Sequence, residues 1–142
     1  MDLSYTETQD MLRDTLARFL ADTYDFETRK KMLASPEGRD PGIWRALCSE
    51  LGLTSAPFAE EYGGMGGGYL ENAIMMEELG KVIAIEPWLQ TVVIGGCALQ
   101  AVGGAVAAEV IPQIISGDCI TAFAYAEPQG RYNLADIGTT AK

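Results

Sequence analysis

Apolar residues recur at helical spacing along most of this chain, with polar residues between them. In the first stretch, residues 6–23, the apolar positions fall on one stripe of a helix: Met11, Leu12, Leu16, Phe19 and Leu20. Ser4 with Glu7, or Thr6 with Gln9, supplies a capping box at its start. A short charged helix is predicted to follow at 26–33.

Two more amphipathic helices are predicted on either side of a glycine-rich loop. Asp40 is an N-cap and Pro41 occupies the first helical position, and the apolar repeat that follows predicts a helix over 41–51. Residues 57–68 are predicted to form a loop, because consecutive glycines hold a helix only at a cost. The next helix is predicted over 70–83.

Residues 87–108 carry no charged side chain, which raises the question of a membrane span. A span needs about 20 apolar residues, whereas Gln90, Thr91 and Gln100 interrupt this stretch and glycine pairs divide it. We therefore predict a central helix buried on most sides by its neighbours. An amphipathic helix over 105–116, ending at Gly117, is predicted to follow.

After Gly117 the apolar pattern changes to an alternation of period two over 119–126, which predicts a strand. A second candidate strand lies at 137–141. Two short strands cannot cover their own faces and edges, so we expect the chain to be part of a larger protein. One face of the first strand is nearly all alanine, which either lets another strand pack closely or leaves room for a flat ligand.

Composition narrows the classes of function. A chain of 142 residues with 48% hydrophobic content suits one compact domain, and its net charge of −10 disfavours nucleic acid and anionic membranes as partners. There is no histidine, and the three cysteines are far apart in apolar settings, so neither a zinc site nor a histidine-based catalytic pair is expected. No secretory pattern opens the sequence, and a cytoplasmic location is the expectation.

The glycine run at 63–68 has two interpretations, a phosphate cradle or a structural turn. No strand precedes it, the Gly-x-Gly-x-x-Gly register fails at Tyr69, and no Gly-Lys-Ser/Thr follows. We predict a structural turn. The acidic pairs Glu60-Glu61 and Glu77-Glu78 are predicted to lie on solvated faces, since neighbouring helical positions do not point the same way.

Four segments in this order resemble acyl-CoA dehydrogenases: the opening helix, PFAEEYGGMG at 57–66, MEELG at 76–80 and GDCITAFAYAEP at 117–128. Residues 24–27, 86–93 and 131–136 are most similar to the small subunit of pimeloyl-CoA-type dehydrogenases, which works with a large subunit. The resemblance implies a mainly α fold. Residues 1–117 would be the N-terminal helical-bundle domain, and 118–142 the truncated start of the middle β-domain with its first one or two strands.

The resemblance also implies a reaction. In the family, a glutamate removes the α-proton of an acyl-CoA thioester while the β-hydrogen leaves as hydride to the flavin of FAD. That glutamate lies in later helices, so no catalytic residue is expected in this chain and the chain alone is expected to be inactive. The implied partners are an acyl-CoA, with a dicarboxyl-CoA as the narrower case, a large subunit or a second copy, and an electron-transfer acceptor.

Two sets of site residues follow from the resemblance. The implied flavin contacts are Phe123, Tyr125, Ala126 and Arg131, and the implied acyl-chain contacts are Trp88, Thr91, Val92 and Gly95. For the acyl-chain residues, the alternative interpretation is ordinary core packing. For Arg131, the alternative is an exposed loop arginine. Where the family has Thr-Glu-Pro, this chain has Ala-Glu-Pro at 126–128. Where the family has Gly-Ser-Asp, this chain has Arg-Tyr-Asn at 131–133. Two side-chain contacts to flavin are therefore missing, and a non-catalytic subunit that stabilises a catalytic partner is the alternative function.

Overall fold

The computed structural model describes residues 4–140, and within that range the chain is helical with no strand. The α-helices are α1 Glu7–Thr23, α2 Phe26–Ala34, α3 Pro41–Arg45, α4 Tyr69–Lys81, α5 Cys97–Val102 and α6 Gly104–Ser116. Two π-helical segments extend this set: Ala46–Glu50 continues α3, and Leu89–Gly96 leads into α5. The predicted mainly α fold is confirmed, and no helix in the described range is long and apolar enough to cross a membrane.

Helix α1 begins where the capping pattern predicts. The Thr6 hydroxyl accepts the Gln9 N–H at 3.3 Å, and the Gln9 side chain accepts the Thr6 N–H at 3.0 Å, so two free donors at the helix start are satisfied. Asp40 caps α3 in a similar way, accepting the Gly42 N–H at 2.8 Å with Pro41 at the first helical position.

Replacing Thr6 by alanine is expected to lower the free energy of unfolding by about 1 kcal/mol, because the cap bond is lost while the exposed side chain packs against little. Urea denaturation of the two proteins measures this. Thr8→Ala, which changes an exposed threonine inside α1, is the matched control and should change stability less.

The core lies where α1 packs against α4, with α3 and α6 closing the other side. Its largest side chains are fully buried: Trp88, Phe58, Leu16, Leu47, Leu53, Ile74, Met75, Ile111 and Ile114. Because burying one such side chain contributes about 1.5–3 kcal/mol, this cluster is the main source of stability. All three cysteines are free, with Cys48 in the core and Cys97 and Cys119 half-buried.

The glycines of loop 57–68 are explained by packing. A Cβ at Gly64 would lie 2.1 Å from the Phe58 carbonyl oxygen, and one at Gly67 would lie 2.4 Å from that of Ala56. Backbone atoms this close leave no room for a side chain, and the Gly66 N–H donates to the Phe58 carbonyl at 2.8 Å. The loop therefore holds Phe58 in the core, in agreement with the predicted structural turn.

Four sequence predictions need correction in detail. Residues 119–126 do not form a strand. A strand requires backbone hydrogen bonds to a neighbouring strand, and the described residues contain no such neighbour. The same holds for 137–140, and Ala141 lies outside the described residues. Glu78 is not solvated as predicted: its side chain is only 5% exposed and pairs with Lys81 at 2.6 Å. The uncharged helix is well buried only in its first half, and Val102 at its end is 86% exposed.

Candidate functional site

An uncharged groove of about 490 Å³ runs between the end of the Leu89–Gly96 segment, α5, α6 and the chain after α6. Its lining residues are small or apolar apart from one threonine: Gly95, Ala98, Leu99, Val102, Gly103, Val106, Val110, Thr121, Ala122 and Phe123. A groove with this lining suits a hydrocarbon chain or the face of a flat ring. It brings together Gly95 and Phe123, which belong to the two predicted site sets.

Two threonines attach the chain after α6 to the helix behind the groove. The Thr91 hydroxyl donates to the Thr121 carbonyl at 3.3 Å, and the Thr121 hydroxyl donates to the Thr91 carbonyl at 3.2 Å. Gly95 lies beside this pair, where an added Cβ would come within 2.3 Å of the Thr121 Oγ1. The chain after α6 can approach the helix this closely, and so form the groove, because Gly95 has no side chain. Thr121 was not singled out from the sequence, although it shares the predicted face of Phe123.

The aromatic ring of Phe123, which lines the groove, stands next to that of Tyr125, which does not. Their centroids are 6.4 Å apart and their planes differ by 20°, and the side chains are 54% and 57% exposed. This agrees with the predicted alternation, which put both on one face. Ala126 is exposed, and exposed Arg131 adopts φ +49°, an uncommon conformation for a residue other than glycine. Neither residue lines the groove.

Two predicted acyl-chain contacts lie mainly in the core. Val92 is fully buried, and Trp88 is 1% exposed with its indole N–H donating to the Asn72 Oδ1 at 3.1 Å. The buried amide of Asn72 thereby fixes the orientation of the ring. Asn72 was missed by sequence reasoning, since an asparagine on a helix gives no signal of burial.

Trp88 also borders a second groove of about 460 Å³ at the end of α4. Its lining includes one acid, Glu86, which is 7% exposed. Neither carboxylate oxygen of Glu86 has a hydrogen-bond partner among the described residues. Burial raises the pKa of Glu86, although the nearby Tyr24 hydroxyl, backbone N–H groups and the Arg39 charge partly offset the rise. The same burial raises the pKa of Tyr24 to about 12.

The raised pKa of Glu86 has a predictable effect on stability. A carboxyl group whose pKa is higher in the folded than in the unfolded state binds more protons when folded, so its contribution falls as pH rises from its ordinary pKa of about 4.3 through the raised value. We therefore expect the stability of Glu86→Gln relative to wild type to increase with pH over this interval. Denaturant melts from about pH 4 to about pH 9 measure the difference; a difference that stays constant or shrinks with rising pH would contradict it.

Comparison with known proteins identifies related sequences over nearly the whole helical region. Residues 6–118 match the family model described as "Acyl-CoA dehydrogenase, N-terminal domain". The chain is 35% identical over 98 residues to acyl-CoA dehydrogenase IpdE2 of Mycolicibacterium smegmatis, covering 69% of this chain and 31% of that protein. It is 32% identical over 146 residues to acryloyl-CoA reductase (NADH) of Anaerotignum propionicum, covering 99% of this chain and 36% of that protein.

Among solved structures, the fold matches a chain of the ChsE4-ChsE5 complex from Mycobacterium tuberculosis with a TM-score of 0.77 and 27% identity, covering 86% of this chain and 34% of that chain. The present chain therefore spans about a third of the length of the proteins that it matches.

Proposed function

Because this chain belongs to the acyl-CoA dehydrogenase family through its N-terminal domain, we propose that it is part of a flavin-dependent subunit that desaturates an acyl-CoA thioester between its α and β carbons. The observation that carries the proposal is the uncharged groove, in which Gly95 and Phe123 meet beside the Thr91–Thr121 pair. The groove offers hydrocarbon contact without a charge to be desolvated.

The aromatic pair supports a role in holding the flavin. Phe123 and Tyr125 offer two exposed, nearly parallel rings next to small residues, an arrangement against which a flat ring system can pack. When bound, FAD would supply the hydride acceptor. The chain's own residues would exclude water from the acyl chain and fix its position along the backbone at Gly95. The base that removes the α-proton is expected from a later part of the protein.

A partner subunit is part of the proposal. The structural match is to a protein solved as a two-component complex, and the resemblance of residues 86–93 and 131–136 favours a heteromeric enzyme with a larger subunit. A dicarboxyl-CoA is the narrower substrate proposal, which rests on that resemblance alone. Neither groove has a cationic lining residue, so the second carboxylate would need a positive charge from elsewhere in the assembly.

Co-expression of the whole natural protein with its partner tests the function. We expect a yellow complex that reduces a ferrocenium-type acceptor when acyl-CoA is added. A comparison of the rates with octanoyl-CoA and octanedioyl-CoA tests the proposal of a dicarboxyl-CoA substrate. A colourless complex without activity would refute the flavin-dependent function.

The alternative is a non-catalytic subunit that stabilises a catalytic partner. It is favoured by Ala126 and by the Arg-Tyr-Asn sequence at 131–133, which replace residues that contact flavin in the resembling family. The double variant Ala126→Thr/Tyr132→Ser separates the two. A gain of flavin absorbance by the variant over a colourless wild type would favour the non-catalytic role, whereas equal flavin content in both would favour the enzyme.

A further inference from the structure

The groove at the end of α4 combines an apolar wall with one acidic side chain. Its lining comes from α4, from the turn after it and from the start of the π-helical segment: Met76, Leu79, Gly80, Ile83, Ala84, Ile85, Glu86, Trp88, Leu89 and Gln90. Apart from Glu86, no lining residue carries a charge. Glu86 is therefore the one charged group that a ligand in this groove would meet, beside the neutral amide of Gln90.

The carboxylate of Glu86 has unused capacity to accept hydrogen bonds. Both of its oxygens are buried without a partner among residues 4–140, although a carboxylate can accept about four hydrogen bonds. The ionisable groups that influence it are Tyr24 and Arg39, and neither lines the groove. The pKa of Glu86 also responds to the backbone N–H groups of Ile85 and Glu86, but neither these groups nor the Tyr24 hydroxyl reach hydrogen-bond geometry, and the Nη1 of Arg39 is likewise buried without a partner among the described residues. A buried acceptor left in this state is unfavourable until a donor reaches it.

The backbone at the rim of the groove is strained. Ile83 adopts φ +53°, which is an outlier for a β-branched residue, and its side chain is 62% exposed. The Arg29 Nε donates to the Ile83 carbonyl at 2.7 Å and holds this conformation. Strained backbone of this kind persists where the surrounding structure enforces it, and it is concentrated at ligand sites. This is an observation independent of Glu86 that points to the same groove.

Building on the proposed function, we propose that Glu86 is a specificity-determining residue that accepts a hydrogen bond from a donor group carried on the acyl chain. The site would favour acyl-CoA thioesters with a hydroxyl or ammonium group near the distal end over the plain acyl-CoA. It would disfavour those that end in a carboxylate, because no cation lines the groove to separate the two carboxylates. This inference and the dicarboxyl-CoA proposal therefore exclude each other, and the ω-carboxy derivative decides between them. The exposed side chains of Ile83 and Leu89, with Met76, supply the apolar contact for the distal part of the acyl chain.

Binding to the whole natural protein with its partner and flavin tests the proposal. The probes are hexanoyl-, octanoyl-, decanoyl- and dodecanoyl-CoA, each compared by titration calorimetry with its ω-hydroxy, ω-amino and ω-carboxy derivative. At the matching length we expect the dissociation constant of a donor-bearing derivative to be at least about tenfold lower than that of the plain thioester. Comparison of the hydroxy and amino derivatives identifies the donor. The carboxy derivative should bind more weakly than the plain thioester.

Glu86→Met should remove the preference, bringing the ratio of dissociation constants to within about twofold, and Glu86→Gln should reduce it while keeping the shape of the side chain. Glu77→Gln is the matched control, because Glu77 is an exposed acid on α4 that does not line the groove, and it should keep the preference. Flavin content and melting temperature establish that each variant is folded.

The outcomes separate the inference from the proposed function. If plain thioesters reduce the flavin but no derivative is preferred, or if Glu86→Met keeps the preference, the inference is wrong and the function stands. If no thioester binds, both fail. If Glu86→Met dissociates the subunits and leaves substrate preference unchanged, the donor belongs to a partner side chain and the inference is again wrong.

Discussion

Replacing Trp88 by alanine is expected to lower the free energy of unfolding by about 3–5 kcal/mol. The side chain is 1% exposed in the core, so its removal leaves a cavity that the surrounding residues fill only partly. It also leaves the buried Asn72 Oδ1 without the indole N–H that donates to it at 3.1 Å. Both losses act in the same direction, and urea denaturation of wild type and variant measures their sum.

Trp88→Phe separates the two contributions. Phenylalanine keeps much of the apolar volume but has no N–H, so we expect a loss of about 1–3 kcal/mol from the unsatisfied amide and the smaller ring. A Trp88→Ala variant that loses less than about 1 kcal/mol while acyl-CoA binding disappears would contradict the core role. It would identify Trp88 as a contact residue only.

Replacing Gly95 by alanine is expected to slow flavin reduction by acyl-CoA about a hundredfold, given the proposed function. The new Cβ would lie 2.3 Å from the Thr121 Oγ1 and 3.0 Å from the Gln90 carbonyl oxygen. Thr121 must then move, and with it Phe123 and the groove wall. Misplacement by about 1 Å is enough for a rate loss of this size. Stopped-flow measurement of flavin bleaching provides the rate.

Gly80→Ala is the matched control for Gly95→Ala. Gly80 lies in α4 with an ordinary backbone conformation, and nothing lies within 4 Å of its Cβ position. Alanine there adds a methyl group at the groove at the end of α4 but does not touch the Thr91–Thr121 pair. The rate should therefore fall far less than the roughly hundredfold expected for Gly95→Ala, and the helix should be stabilised by about 0.5–1 kcal/mol. If Gly95→Ala and Gly80→Ala reduce flavin at the same rate, the contact between Thr121 and the helix has no part in positioning the substrate.

Local signals in the sequence predict most of the helices. Apolar spacing and caps involve residues within one or two turns of each other, so Thr6 with Gln9 and Asp40 before Pro41 identify helix starts without knowledge of the fold. Strand formation at 119–126 is not predictable in the same way, because it depends on a partner strand that lies outside the local sequence. The alternation still predicts that Phe123 and Tyr125 share a face.

The candidate site is less predictable for two physical reasons. The predicted acyl-chain face assumed α-helical geometry, whereas Leu89–Gly96 is π-helical and each of its turns closes one residue later. Of the four predicted contacts, Gly95 reaches the uncharged groove and Trp88 borders the other. Glu78 and Glu86 are buried by elements that are distant in sequence. From the local sequence alone, a glutamate next to an uncharged stretch, such as Glu86, is predicted to be exposed to solvent.

The reciprocal bonds between Thr91 and Thr121 have a consequence for how the protein responds to its medium. Both bonds join neutral hydroxyl and carbonyl groups, so dissolved ions do not screen them and neither partner titrates in the physiological range. The ion pairs that Lys81 makes with Glu77 and Glu78 lie partly at the surface and weaken as ionic strength rises. Molar salt should therefore loosen the end of α4 while the connection between the helices and the chain after α6 keeps its geometry.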